Sequence, residues 1–208
     1  MFEEASGSTT YDLPGTINGT LGAGASRAAA IRGAGVSLAG TSDGYVGFGT
    51  LGSSLGTADF TIAFWFKVPA TTHRMDLFGN RVNVGDGNFI QLRMTANGSV
   101  ELELDEDVSG TNYHAITGGS GLDDGQWHHL AARRKGMTLS MFVDGALAAN
   151  DTRATGTPTD LSNGAPLRLG SSAIAATQNL LTTGAFDDLR IYNSSLGDCD
   201  IALIGSQP

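Results

Sequence analysis

The chain has 208 residues, with 21 acidic side chains against 12 Lys plus Arg and a formal net charge of −9. Such a surface repels phosphate backbones and anionic headgroups, which argues against nucleic acid and anionic membranes as partners. Hydrophobic residues make up 40%, too many for disorder, and no apolar run is long enough for membrane insertion. Cys199 is the only cysteine, so no internal disulfide forms. The first residues, MFEEASGSTT, carry neither the basic nor the apolar part of a secretory leader, and the expectation is a domain taken from a larger protein.

Thirty glycines and period-2 patterning predict short strands joined by tight turns. The small-residue stretch 23–40 reads as a strand and loop. A strand follows at 42–49. In the next, at 59–69, Phe60, Ile62, Phe64 and Phe66 share one face, with Thr61, Ala63, Trp65 and Lys67 opposite. Strands at 88–94 and 99–105 flank the turn Ala96-Asn97-Gly98, and a further strand covers 111–117. The stretch 121–145 holds a hairpin, with a turn at Lys135-Gly136 and a closing turn at Asp144-Gly145. Residues 150–164 form a long loop, 166–170 a strand, 175–183 a loop and 185–192 the last strand. The only helix expected is short, over 196–203. The whole predicts an all-β, antiparallel sandwich of jelly-roll type, one domain over 1–208.

The pieces DDGQWHHLA and LSMFVDG resemble the central hairpin of laminin G-like domains in the concanavalin A-like superfamily. SDGYVGFG and DFTIAFWFKVP are similar to the opening strands of that family, APLRLGSS and GAFDDLRIYNSSL to its closing ones. DLPGTINGTL is similar to the loop that opens many bacterial members. The resemblance implies a non-catalytic binding module of a secreted or surface protein, contacting a glycan or an extracellular protein. A purely structural role in an adhesin or a phage or virus fibre is the alternative.

The same resemblance implies a structural Ca²⁺. Asp187 occupies the family's acidic position after an apolar residue, with Asp43, Asp12 and Asn18 as further ligands, because a hard cation gathers carboxylate and loop oxygens. The competing reading of Asp187 is an acceptor for backbone N–H groups of a neighbouring loop. A third class, glycoside hydrolase or lyase using Glu101 with Asp105 or Glu106, rests on VELELDED at 100–107. There Glu101, Glu103 and Asp105 share a strand face, and the run resembles the E-x-D-x-x-E strand of laminarinase-type glucanases with Glu103 in place of Asp. The simpler reading is a solvated charged face, so no catalytic residue is assigned.

Other features read as structural. His128 and His129 are adjacent, face opposite ways on a strand and cannot share one metal. Trp65 and Trp127 read as packing residues rather than sugar platforms, and Arg133-Arg134-Lys135 as a solvated turn. The N-x-[ST] sequons at Asn18, Asn97, Asn150 and Asn193 matter only in a glycosylating host.

Overall fold

A computed structural model describes residues 2–12, 17–83, 85, 87–107 and 109–207. In chain order the first strands are β1 (Thr9–Thr10), β2 (Gly19–Leu21), β3 (Ala25–Ala29), β4 (Ala34–Ala39) and β5 (Tyr45–Gly47). After a 3₁₀ turn at Leu51–Leu55 come β6 (Phe60–Lys67), β7 (Met75–Gly79), β8 (Phe89–Met94), β9 (Val100–Glu106) and β10 (Thr111–Gly118). The remainder are β11 (His128–Lys135), β12 (Thr138–Val143), β13 (Ala146–Thr152), β14 (Arg168–Gly170) and β15 (Thr183–Tyr192). Two helices complete the chain, α1 (Ala175–Gln178) and α2 (Asp198–Gly205).

The strands form two antiparallel sheets, ordered β1-β2-β5-β14-β7-β8-β9-β10 and β13-β12-β11-β6-β15-β4-β3. The expected all-β sandwich is therefore what the chain builds, with its longer helix near the C-terminus. Alternation decides which side chains meet. Phe60, Ile62, Phe64 and Phe66 of β6, with Leu130 and Ala132 of β11, face Leu77 and Phe78 of β7, Ile90 and Leu92 of β8 and Leu102 and Leu104 of β9. Phe64 holds the layers together, its ring 6.3 Å from Phe78 across the sandwich and 6.0 Å from Phe186 on β15. Each such side chain contributes about 1.5–3 kcal/mol by leaving water.

The outer face of the seven-stranded sheet is covered as well. Ala63, Ala131 and Phe142 pack against Ile201 of α2. Gly205 ends that helix where a Cβ would stand 2.8 Å from His129 Nδ1 and 2.9 Å from the Gly145 nitrogen. His129 is buried edge-on to Trp65, ring centroids 5.3 Å apart, whereas His128 reaches Asp144 at 2.9 Å and Asp124 at 3.2 Å. The adjacent histidines thus diverge, as their strand dictates.

Three expectations are corrected. The central hairpin turns at Gly136 and Met137, with Lys135 opposite Thr138. Its closing turn, Asp144-Gly145, has φ of +50° and +79°, which suits the tight hairpin that launches β13, so part of the expected 150–164 loop is strand. Third, the basic run at 133–135 is no solvated turn, since Arg134 is only 1% exposed. Its guanidinium donates to the carbonyls of Leu55 (3.1 Å), Gly56 (2.7 Å), Thr159 (2.6 Å) and Ala58 (2.8 Å from Nε). It lies 4.9 Å from the Phe60 ring centroid. Burial pulls the Arg134 pKa down to about 10, still charged at neutral pH.

Removing this guanidinium takes a donor from four carbonyl groups, of which Leu55 and Gly56 keep the backbone N–H of Ala58 and Leu161. Arg134→Met should lower unfolding free energy by roughly 2–4 kcal/mol, read as a fall in urea midpoint at unchanged slope. A loss below about 1 kcal/mol would show that water replaces the guanidinium without penalty.

Candidate functional site

Strands β8 and β9 turn Ile90, Leu92, Leu102 and Leu104 into the core, so Gln91, Arg93, Glu101 and Glu103 must point outward. Register sets Arg93 opposite Glu101 and Gln91 opposite Glu103. Arg93 Nη2 donates to Glu101 at 3.1 Å and to Glu103 at 2.8 Å, and Arg81 Nη1 donates to Glu103 at 3.1 Å. Arg81 lies over the Phe89 ring at 4.3 Å and also donates to Gln91 at 3.2 Å. Arg93 is 7% exposed, and its Nε has no hydrogen-bond partner.

The face is partly roofed by the segment that follows β14. Asp76 of β7 pins that segment, because its carboxylate accepts from the Ser172 hydroxyl and backbone N–H and from the Gln91 amide. Its own N–H donates to the Leu180 carbonyl at 3.0 Å. Between roof and sheet lies a cavity of about 330 Å³, lined by Arg74, Arg81, Arg93, Glu101, Glu103 and Tyr113 together with Ile174, Gln178 and Leu180. Tyr113 of β10 is 46% exposed at its edge. Aromatic face, guanidinium donors and carboxylate acceptors converge here, the chemistry that orients a polar ligand.

A larger cavity of about 730 Å³ opens beside β1 and β2, lined mainly by apolar groups such as Phe2, Phe48, Leu51, Leu55 and Ile191. Asp12 and Ile17 flank it in sequence around residues 13–16, which fall outside the described residues. It has fewer convergent charged groups, so the smaller cavity is the candidate site.

The acidic face of β9 was legible as a face, but not its surroundings. It is neither an edge nor solvated: β9 lies between β8 and β10, and Glu103 and Asp105 are buried. The sequence reading passed over Arg81, Arg93 and Tyr113. Pairing the two strands around Asn97-Gly98 would have set Arg93 against Glu101; the long-range partners leave no such local signal.

The calcium candidates have separate hydrogen-bond partners. Asp12 and Asn18 are joined, Asn18 Oδ1 accepting the Asp12 N–H at 3.2 Å. Asp43 accepts from the Thr41 hydroxyl at 2.6 Å in the turn before β5. Asp187 is fully buried at a bulge of β15, where its carboxylate accepts the N–H of Arg32 at 2.9 Å and of Asp188 at 2.7 Å. Burial, with the charges of Asp188 and Glu3 added, raises its pKa above the ordinary carboxylate value. Among the described residues no group of three or more His, Cys, Asp or Glu is placed to hold a metal, so Asp12, Asp43 and Asp187 do not form one such cluster. Asp187 instead ties the turn between β3 and β4 to the sheet.

Residues 40–202 match the family model described as the concanavalin A-like lectin/glucanases superfamily, and the chain belongs to that family. No curated protein matches it. Among solved structures it is similar to the binding domain of Paraclostridial Mosquitocidal Protein 1, at 15% identity and TM-score 0.71, covering 91% of this chain and 47% of that one. It is also similar to a Trypanosoma rangeli sialidase in complex with 2,3-difluorosialic acid, at 16% identity and TM-score 0.72, covering 98% and 31%. A third is the Ruminococcus gnavus IT-sialidase CBM40 bound to α2,3-sialyllactose, at 16% identity and TM-score 0.64, covering 87% and 97%. The chain spans less than half the length of the first two, and at these identities the likeness is one of fold.

Two measurements follow from this geometry. Melting temperatures in millimolar Ca²⁺ and in EDTA test the expected structural Ca²⁺: a rise of several degrees that Asp187→Ala abolishes would support it, and equal values in both would remove it. The second concerns Asp76, whose pKa burial pushes up to about 6 from 3.8. The folded state therefore holds this proton more tightly than the unfolded chain. The stabilisation that proton brings is complete below about 4 and is lost as pH rises through about 6, on the order of 2–3 kcal/mol. Relative to wild type, Asp76→Asn should gain stability across that rise, and parallel pH profiles would refute the linkage.

Proposed function

We propose that the chain is a non-catalytic glycan-binding module whose sugar seat is the cavity on the outer face of the eight-stranded sheet. One observation carries this: a half-exposed tyrosine, Tyr113, stands beside buried, mutually paired Arg and Glu side chains. A sugar presents an apolar C–H face to the ring and hydroxyls to the ionised groups, which are already held in place and lose little freedom on binding. The family's lectin description and the sialyllactose-bound CBM40 neighbour support the reading. Its setting is a secreted or surface protein of several parts, consistent with the larger chains in which similar folds occur.

The glucanase alternative has less in its favour. Glu101 accepts from Arg93, Asp105 is buried and accepts the Glu106 N–H, and Glu106 accepts from the Asn112 amide and the Asp160 N–H, so these carboxylates are engaged instead of flanking an open glycosidic bond. Wild type and Glu101→Gln should both leave β-glucans intact, and turnover lost in the variant would reinstate catalysis.

Binding is read on a glycan array and confirmed by calorimetry. Tyr113→Ala should weaken the best ligand about tenfold while leaving the melting temperature within a few degrees. An array negative throughout, with folded protein, would replace glycan recognition by the structural reading.

A further inference from the structure

Resting on the glycan-binding reading, we infer that the cavity takes the end residue of a glycan and does not thread an internal stretch of a polysaccharide. A bare sheet face would let a long chain lie across its strands and leave on both sides. This face is stopped in two directions. Toward β7 the roof closes it, and Gln91, the floor residue on that side, is 0% exposed. The roof is tied at both ends: the Ser171 N–H donates to the Gly44 carbonyl at 3.1 Å, and the Thr182 hydroxyl donates to the Asp76 carbonyl. Toward the start of β8 the stop is Arg81, which covers Phe89 and donates to the carbonyls of Asn83 at 3.0 Å and Gly85 at 3.2 Å. Phe89 beneath it is 2% exposed.

The lining residues show where the cavity opens. Arg93, Glu103, Ile174 and Leu180 are buried and Arg81 and Glu101 half-buried, whereas Arg74, Tyr113 and Gln178 are exposed. Those three stand just before β7, on β10 and on α1, and together they form the rim. The volume of about 330 Å³ is at the small end of ligand cavities and holds roughly one or two sugar rings. Deeper in, Arg93 is 7% exposed and its Nε is a donor without a partner. A hydroxyl or ring oxygen of the end sugar supplies the acceptor that this buried group lacks. An internal residue is linked on both sides, and its second linkage would have to pass through the roof or through Arg81.

The test takes the best ligand of the glycan array and two derivatives of it, each carrying one further sugar, added at one end or at the other. Calorimetry should show one cap weakening binding at least about tenfold and the other changing it by less than about threefold. Tyr113→Ala should weaken the tolerated derivative as much as it weakens the parent glycan. Tolerance of both caps would mean that an internal stretch is bound, and loss with both would mean that the cavity encloses a whole small sugar. Either result overturns end recognition while leaving glycan binding intact. Failure of every glycan to bind, or affinities untouched by Tyr113→Ala, would overturn the proposed sugar seat and this inference with it.

Discussion

Two-residue periodicity is the constraint from which both core and site descend. A strand that commits Ile90, Leu92 and Met94 to the interior has no choice about Gln91 and Arg93, which must emerge on the other face. The same holds across the turn, where Val100, Leu102 and Leu104 go inward and Glu101, Glu103 and Asp105 outward. Had this face met water, the charges would be ordinary surface. The segment after β14 covers part of it, and a covered charge is tolerable only when paired. Burial by a loop thus converts a polar strand face into a fixed array of ion pairs.

That loop is itself held by a buried carboxylate. Asp76 accepts from Ser172 and Gln91, so roof and floor of the cavity meet at one side chain. Asp187 plays the corresponding part on the other sheet, receiving the Arg32 N–H of the β3–β4 turn. Arg134 inverts the arrangement, a cation that gathers carbonyls from the stretch after the 3₁₀ turn and from the segment before β14. In each case a loop's backbone polar groups, which have no ladder to join, are satisfied by one side chain from a rigid strand. Rim loops of a sandwich gain definition in this way without secondary structure of their own.

What the sequence disclosed follows from the range of each interaction. Alternation in β6, the Asn97-Gly98 turn and the two strands of the central hairpin are local patterns, and all three are legible in the sequence. Strand β13 was not, because ALAANDT is small, polar and exposed, with nothing to distinguish it from loop; its pairing with β12 is imposed by the Asp144-Gly145 turn. Arg134 was misplaced for a related reason. Its partners Leu55, Gly56, Ala58 and Thr159 are distant in sequence and contribute only carbonyls, which carry no residue-type signal. The site was half legible: the carboxylates of β9 announce a charged face, but whether such a face is solvated, catalytic or paired depends on the neighbouring strand and on a roof some seventy residues further along.

That distinction carries the functional argument. Two carboxylates roughly 5–10 Å apart serve most glycoside cleavage, and same-face strand positions such as Glu101 and Glu103 are one way to supply them. Arg93 reaching both changes what they can do. A shared guanidinium keeps their oxygens engaged as acceptors and fixes their positions, which favours recognition of hydroxyls over proton transfer to a leaving group. On the proposed reading, one arginine, set opposite by register alone, is what makes this a binding face instead of a hydrolytic one on the same scaffold.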